Sequence, residues 1–341
     1  MIKNDKLITV IVPAYNAEKT IDRCLKSLVR QNNPSLYEVI IIDDGSTDKT
    51  VEKIKKYTKN YDNFSLIEKE NTGSSDTRNV GIKEAKSEFI TFVDSDDYVE
   101  ATYLNSFVNQ IKNYKNIDLY ITGYQKETEN GNIMFISHKR NMENIINNSD
   151  AQNRILSSGE FEGYTWNKLY KMKIIKDHDI KFDKEISLYE DLVFNLEYLN
   201  FCKKISVGNQ NVYHYVKHEK SIVNSNNFGN DFDVKSVNSI NVMENMRKII
   251  PKDNLKAQKN LNAKICWSAV SLYRNLHGAP NYNLIDKKVG KRLRSIMKKY
   301  RKDFLNNEIL PKRDIYIYWL NWYMPSLFAF LWKKLDLRGN G

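Results

Sequence analysis

Cysteine is almost missing from this chain of 341 residues: Cys24, Cys202 and Cys266 are far apart, odd in number and never spaced C-x-x-C. That excludes a disulfide framework and a thiolate zinc site, and it fits a reducing compartment. Cys24 itself falls on the stripe Ile21, Cys24, Leu25, Leu28, which has helical period, and reads as a core thiol. Zinc-finger, RRM and KH patterns are absent, so nucleic acid is not an expected partner. No internal repeat is present. The opening Met1–Lys6 is polar and runs straight into an apolar strand, so no secretory leader is expected there. The apolar stretch 315–332 is interrupted at Asn321, Pro325 and Ser326, and falls short of the ~20 residues a membrane-spanning helix needs.

Positive charge is abundant but uneven. The formal charge is +11, and the segment from Asn281 to Arg313 alone carries eleven Lys or Arg against Asp286, Asp303 and Glu308, a net of +8. Such a block suits a solvated helix face or an anionic membrane surface. The length allows a full core, arranged as one large domain with an appendage or as two domains.

Strands and helical patterns alternate over the first 125 residues. Leu7–Val12, Glu38–Ile42, Ser65–Glu68, Phe89–Val93 and Ile117–Thr122 read as strands, with helical stripes between the early ones. This pattern predicts βαβ units and a mostly parallel sheet, whose ligands bind beyond the carboxyl ends of the strands. The polar residues gather at those ends: Tyr15 and Asn16, Asp43 and Asp44, Asp94 to Asp97. Beyond Asp231 the spacing turns helical, at Val234, Val237, Ile240, Met243 and Met246 and again from Leu261 to Leu276. The Asn-rich stretch Asn224–Asn230 reads as a linker.

The run Phe89-Ile90-Thr91-Phe92-Val93-Asp94-Ser95-Asp96-Asp97 is a buried strand ending in carboxylates. On an extended backbone Asp94 and Asp96 share a face. Two carboxylates there make a hard-oxygen site for Mg²⁺ or Mn²⁺, completed by substrate phosphates. The competing reading is a capped turn in which Asp94 or Ser95 starts the next helix.

Four motifs in order resemble those of family 2 glycosyltransferases: Val10-Ile11-Val12-Pro13-Ala14-Tyr15-Asn16; Ile40-Ile41-Ile42-Asp43-Asp44-Gly45-Ser46; Asn71-Thr72-Gly73 with Arg78-Asn79-Val80-Gly81; and Val93-Asp94-Ser95-Asp96-Asp97. The resemblance is dense over the first 125 residues and thinner to about residue 225. It implies the GT-A fold, a Rossmann-like α/β sheet with flanking helices, here followed by a helical C-terminal region. It implies a nucleotide pocket in which Asp44 accepts the imide N–H of uracil, with Pro13, Tyr15 and Asn16 on the other side of base and ribose. Arg78 would face the nucleotide or diphosphate, although the family has Ala where this chain has Thr77. Asp94, beside Ser95, would meet the ribose, and Asp96 would ligate the metal. Asp97 reads equally as a donor-sugar contact or a helix cap.

Tyr164-Thr165-Trp166-Asn167-Lys168-Leu169-Tyr170 and Leu188-Tyr189-Glu190-Asp191-Leu192 resemble the acceptor half of the same family. There the Asp after Glu serves as general base, which selects Asp191, with Glu190 beside it. Asp191 lies in a first helical turn, whose positive end favours the ionised form. Trp166 offers an aromatic face to an acceptor sugar or packs inside beside Leu169. Where the family often has Tyr-x-Tyr-Arg, this chain has Tyr213-His214-Tyr215-Val216. His214, Lys217 or His218 would then replace the arginine, and His218 is also a candidate metal ligand.

The expected activity is transfer of a sugar, with Mn²⁺ or Mg²⁺ and with inversion, from a nucleotide-sugar, taken to be a UDP-sugar. The acceptor hydroxyl would belong to a glycan, lipid-linked or protein-linked. A sugar nucleotidyltransferase is the alternative enzyme, although Pro13-Ala14-Tyr15-Asn16 stands where its glycine-rich loop would be. A non-catalytic membrane-associated scaffold is the alternative from another class. Residues 1–125 would form the donor half, 126–228 the acceptor half and 229–341 the helical region. The aromatic tail, 312–338, would lie on the inner face of the plasma membrane in the cytoplasm, or pack on protein as a helix or homo-oligomer interface.

Overall fold

Val10-Ile11-Val12 and Val39-Ile40-Ile41-Ile42 are buried on both faces, as inner strands of a parallel sheet must be. The structure, a computed structural model, describes residues 6–137, 144–157, 161–218, 230–307 and 311–334. The expected linker over 224–229 and the tail residues 335–338 lie outside the described residues. The chain divides into two compact units, residues 1–155 with 159–217 and residues 156–158 with 218–341.

The first unit runs β1 (Ile8–Ala14), α1 (Ile21–Val29), β2 (Tyr37–Asp43), α2 (Thr50–Asn60), β3 (Phe64–Glu68), α3 (Ser74–Glu84), β4 (Phe89–Phe92), β5 (Tyr98–Val99) and α4 (Tyr103–Asn113). It continues with β6 (Leu119–Thr128), β7 (Ile133–Ile136), β8 (Asn144–Ile146), α5 (Asn148–Leu156), β9 (Lys168–Lys171), α6 (Met172–Asp177), α7 (Glu190–Leu199) and β10 (Ile205–Lys217). The sheet order is β3-β2-β1-β4-β9-β6-β10-β5, with β7 beside β6 and β8 beside β10. From β3 to β4 all neighbours are parallel, with Val10 opposite both Val39 and Thr91.

β9 breaks that pattern by running antiparallel to both β4 and β6, with Tyr170 opposite Ile90 and Leu119. A reversed strand presents its beginning where its neighbours end, so the segment leading into Lys168 arrives at the carboxyl end of β4. Phe92 at that end is buried edge-on against Tyr170, Phe182 and Phe194, and the last two rings stack at 4.2 Å. Each such ring contributes ~1.5–3 kcal/mol on burial, and together they hold α7 against β4. On the same face of the sheet, where Ile11 stands in register with Phe92, α3 approaches β1 so closely that a Cβ on Gly81 would collide with the Ile11 side chain.

The second unit is helical: α8 (Asn238–Met246), α9 (Leu255–Gly278), α10 (Lys287–Leu305), α11 (Lys312–Tyr323) and α12 (Pro325–Lys334). α9 is its axis, packing on α8, α10, α11 and α12. Its buried Leu261, Ile265, Cys266, Leu272 and Leu276 follow the expected helical spacing, and α10 buries Leu293, Ile296, Met297 and Tyr300.

Candidate active site

Three carboxylates from distant parts of the first unit converge on one guanidinium. Arg78, in the middle of α3, is buried to 8% side-chain exposure; its Nη2 lies 3.1 Å from Asp94 Oδ1. Its Nη1 faces Glu190 Oε1 at 3.7 Å and Asp191 Oδ1 at 3.8 Å. The ring of Phe182 lies beneath it, 5.5 Å from the guanidinium carbon. Burial alone would weaken the charge, but Asp191, Asp94 and Glu190 outweigh it and hold Arg78 above its usual range. Its Nε and Nη1, and Asp191 Oδ1, are buried without a hydrogen-bond partner. Unsatisfied groups at one wall are what a ligand would meet.

Glu190 and Asp191 open α7, and the residue before them, Tyr189, holds the left-handed conformation at φ 71°. A non-glycine residue there stores strain of order 1–3 kcal/mol, as ligand sites often do. Burial and the Asp191 charge push Glu190 up to about 7 despite Arg78. Burial also raises Asp191, with Arg78 opposing and Asp94 adding to the rise. The helix terminus was expected to keep Asp191 ionised; burial works against it.

The D-S-D-D run is a turn rather than an extended strand end. β4 stops at Phe92, and the Asp97 N–H donates to the Asp94 carbonyl at 3.1 Å. The period-two reason for Asp94 and Asp96 to share a face therefore does not apply. Neither Asp94 nor Ser95 caps a helix, because β5 follows and α4 starts only at Tyr103. Asp94 is half-buried on Arg78 and Ser95 is half-buried beside it, while Asp96 is exposed and its carbonyl accepts from Arg23 Nη2 at 2.5 Å. Asp97 is 1% exposed and accepts from Tyr213 Oη and the Val216 N–H, both at 2.8 Å. It is a buried anchor for β10, neither a sugar contact nor a cap.

The nucleotide-side residues lie at the ends of β1 and β2. Pro13 pairs in register with Ile42, and the Asp44 N–H donates to the Ala14 carbonyl at 2.8 Å. Tyr15 presents a ring 51% exposed. Asn16, at φ 47°, accepts from the Thr47 N–H at 2.9 Å and donates its own N–H to Ser46 Oγ at 2.9 Å. Asp44 is buried; its Oδ1 accepts from Lys69 and from the Thr72 N–H, and its Oδ2 from the Gly73 N–H. Burial raises Asp44, yet these donors outweigh it and hold the group below the ordinary carboxylate range. A carboxylate offers about four acceptor directions, so one remains on Oδ2. Gly45, at φ 74°, lets the same loop close: a Cβ there would lie 2.9 Å from the Asn71 nitrogen.

Three positioning residues escape the sequence reading. Asn79 bonds the Phe182 backbone reciprocally, donating to its carbonyl at 2.8 Å and accepting from its N–H at 2.9 Å. Lys168 is fully buried, and its ammonium donates to the carbonyls of Phe161 and Glu162 at 3.0 Å, to that of Tyr164 at 2.5 Å and to Asn167 Oδ1 at 2.9 Å. Burial pulls it down to about 7 while Asp191 and Glu162 oppose. Asn195 donates to the carbonyls of Gly163 at 3.0 Å and Asp191 at 2.8 Å. A lysine at the head of the short strand Lys168–Lys171 was the one available signal.

Trp166 is buried at 1% exposure, stacked on Tyr213 at 4.1 Å and on Tyr164 at 4.7 Å, so it packs inside. His214 is also buried, held by Glu100 at 2.8 Å and Glu127 at 3.2 Å and stacked on Tyr98. It is committed to the sheet and does not replace the arginine. Lys217 ends β10, and His218 belongs to the second unit. Among the described residues no three His, Cys, Asp or Glu side chains gather into a ready metal cage. The turn nonetheless supplies the hard oxygens of Asp94 and Asp96, the donor type Mg²⁺ and Mn²⁺ prefer alongside phosphate.

The glycosyl transferase family 2 model matches residues 9–179, half of the chain. Glycosyltransferase GlyA of Streptococcus pneumoniae is 30% identical over 221 residues, covering 63% of this chain and 31% of GlyA. The poly(ribitol-phosphate) beta-N-acetylglucosaminyltransferase TarS of Staphylococcus aureus (strain Mu50) is 31% identical over 210 residues, 61% of this chain and 35% of TarS. The chain spans between 31% and 62% of the length of the first curated relatives it matches. The crystal structure of S. aureus TarS 1-349 in complex with UDP-GlcNAc superposes with a TM-score of 0.67 at 22% identity, covering 96% of this chain and 92% of that one. The mannosyltransferase PcManGT from Pyrobaculum calidifontis, in complex with GDP-Man and Mn²⁺, gives 0.56 at 14% identity, covering 97% and 88%. These likenesses show the fold, which is GT-A with a helical region after it.

Proposed function

Because this chain belongs to glycosyl transferase family 2, we propose that it moves a hexosyl or N-acetylhexosaminyl group from a UDP-sugar to a hydroxyl of a glycan, lipid-linked or protein-linked, with inversion. The observation that carries this reading is the convergence of Asp94, Glu190 and Asp191 on Arg78. It joins the donor rim to a carboxylate pair in one place. The UDP-GlcNAc complex of TarS supports the choice of donor class.

In this reading residues 1–125 are the donor half, 126–228 the acceptor half and 229–341 an appended helical region. The remaining acceptor direction of Asp44 takes the uracil imide N–H, and the exposed ring of Tyr15 covers the base. Pro13 and Asn16 shape the lip of that pocket, and Asp94 with Ser95 meets the ribose. Arg78 offers its guanidinium to the diphosphate, where a planar fork of donors suits phosphate oxygens. Asp191 takes the proton of the acceptor hydroxyl as its oxygen attacks the anomeric carbon from the side opposite the diphosphate. A single displacement of that kind inverts the anomeric centre. Glu190 shares the charge of the pair and sets the pH at which Asp191 is free to act. Asp94 and Asp96 would hold Mn²⁺ or Mg²⁺. Such a cation, when bound, offsets negative charge on the departing diphosphate. Three free buried cysteines agree with a cytoplasmic setting.

The test is UDP release from a panel of UDP-sugars with Mn²⁺ or Mg²⁺, with and without glycan acceptors. Release that requires Asp191 supports the reading. Silence with every donor, in a protein that binds UDP, would assign the fold to a non-catalytic role.

A further inference from the structure

The tail helices leave an apolar face exposed opposite the side they bury. α11 buries Asp314, Ile317, Tyr318 and Asn321, spaced three and four apart, so its inward stripe is already used. Its opposite side and that of α12 leave Tyr316, Leu320, Tyr323, Leu327, Phe330 and Leu331 between 38% and 69% exposed. An exposed apolar patch of this kind marks an interaction surface.

Cations rim the patch. The Arg294 guanidinium lies over Trp322 at 4.5 Å, that of Arg274 over Trp332 at 4.3 Å, and the Lys334 ammonium near Phe330 at 5.3 Å. Behind them α10 exposes a row of Lys and Arg. Tyrosine, tryptophan and arginine at the edge of an apolar face are the residues that settle at a headgroup boundary. Pro325 divides the segment into two short helices, and no helix among the described residues is long and apolar enough to cross a bilayer.

We propose that the exposed face of α11 and α12 docks on an anionic lipid surface, its apolar side chains entering the headgroup region and Arg274, Arg294 and Lys334 meeting lipid phosphates. Charge favours this occupant over a second copy of the chain, because a two-fold contact would set the same cations against one another.

The experiment is co-sedimentation of the full chain with phosphatidylcholine vesicles, plain or carrying about a third phosphatidylglycerol. The chain should pellet with the anionic vesicles, stay in solution with plain ones, and be released as salt rises. The triple variant Tyr316→Ser/Leu327→Ser/Phe330→Ser and the pair Arg274→Gln/Arg294→Gln should each cut vesicle binding by about ten-fold or more. As a check free of mutation, brominated lipid should quench the tryptophan fluorescence of the unaltered chain. A chain that never pellets, or a triple variant that pellets as well as the parent, overturns the proposal. So does a dimer in sedimentation equilibrium that the triple variant turns to monomer without any lipid binding by the parent.

Discussion

Arg78 Nη2 lies 3.1 Å from Asp94 Oδ1 across a buried wall, and the same guanidinium is the counter-charge for Glu190 and Asp191. Arg78→Ala should therefore leave three acids without their cation and cost about 3 kcal/mol of stability. Arg78→Lys keeps the charge but loses the fork, and should recover much of the stability while transfer stays about 100-fold down. Urea midpoints and initial rates on the two variants separate these effects. An unchanged midpoint for Arg78→Ala would show that the acids do not depend on it.

Protonation of the Glu190–Asp191 pair should move activity and stability in opposite directions. A base works only when ionised, and Glu190 is raised to about 7 by burial and the Asp191 charge. Turnover should therefore climb from pH 5 to a plateau above about 7, and Asp191→Asn should lower that plateau by about 1,000-fold with UDP affinity nearly intact. For stability the sign reverses. Between the ordinary 4.5 of a glutamate and about 7, the folded chain binds more protons than the unfolded one, so this contribution rises as pH falls. Glu190→Gln should flatten both trends. Rate profiles and denaturation midpoints measured on the same buffers give the answer.

Asn79 touches no proposed substrate atom, yet it fixes the approach to α7 through both backbone groups of Phe182. Asn79→Ala should lower the turnover number by about ten-fold, cost about 1–2 kcal/mol, and leave donor affinity unchanged. If KM for the donor rises instead, the residue belongs to the nucleotide pocket.

Chelation should silence the enzyme, and Mn²⁺ or Mg²⁺ should restore it. Asp96 is exposed at the turn, so Asp96→Ala should fold normally while raising the cation concentration for half-maximal rate by about ten-fold or more. Full turnover in excess EDTA would remove the cation from the proposal.

The parallel half of the sheet was legible because apolar β-branched runs end abruptly in Tyr15, Asp44 and Asp94, and such runs have few alternative uses. β9 was not legible as a strand: it is four residues long, begins with a lysine and takes its direction from neighbours on both sides. The turn after Phe92 was misread because nothing local separates an extended Asp-Ser-Asp-Asp from a closed one. The difference lies in Tyr213 and Val216, over a hundred residues away, which draw Asp97 inside. Asn79 was invisible for the same reason, its partner being 103 positions distant. His214 read as a replacement for the family's arginine only until Glu100 and Glu127 closed on it.

Since β9 enters the sheet in reverse, lengthening or trimming the segment ahead of it would change the chain at the carboxyl end of β4 and leave the register of β1, β2 and β4 untouched. In the proposed reading, acceptor contacts could then change through edits to a single stretch of chain while the donor pocket at the ends of β1 and β2 stays as it is. On that reading, such a division would let products vary while the feedstock stays the same.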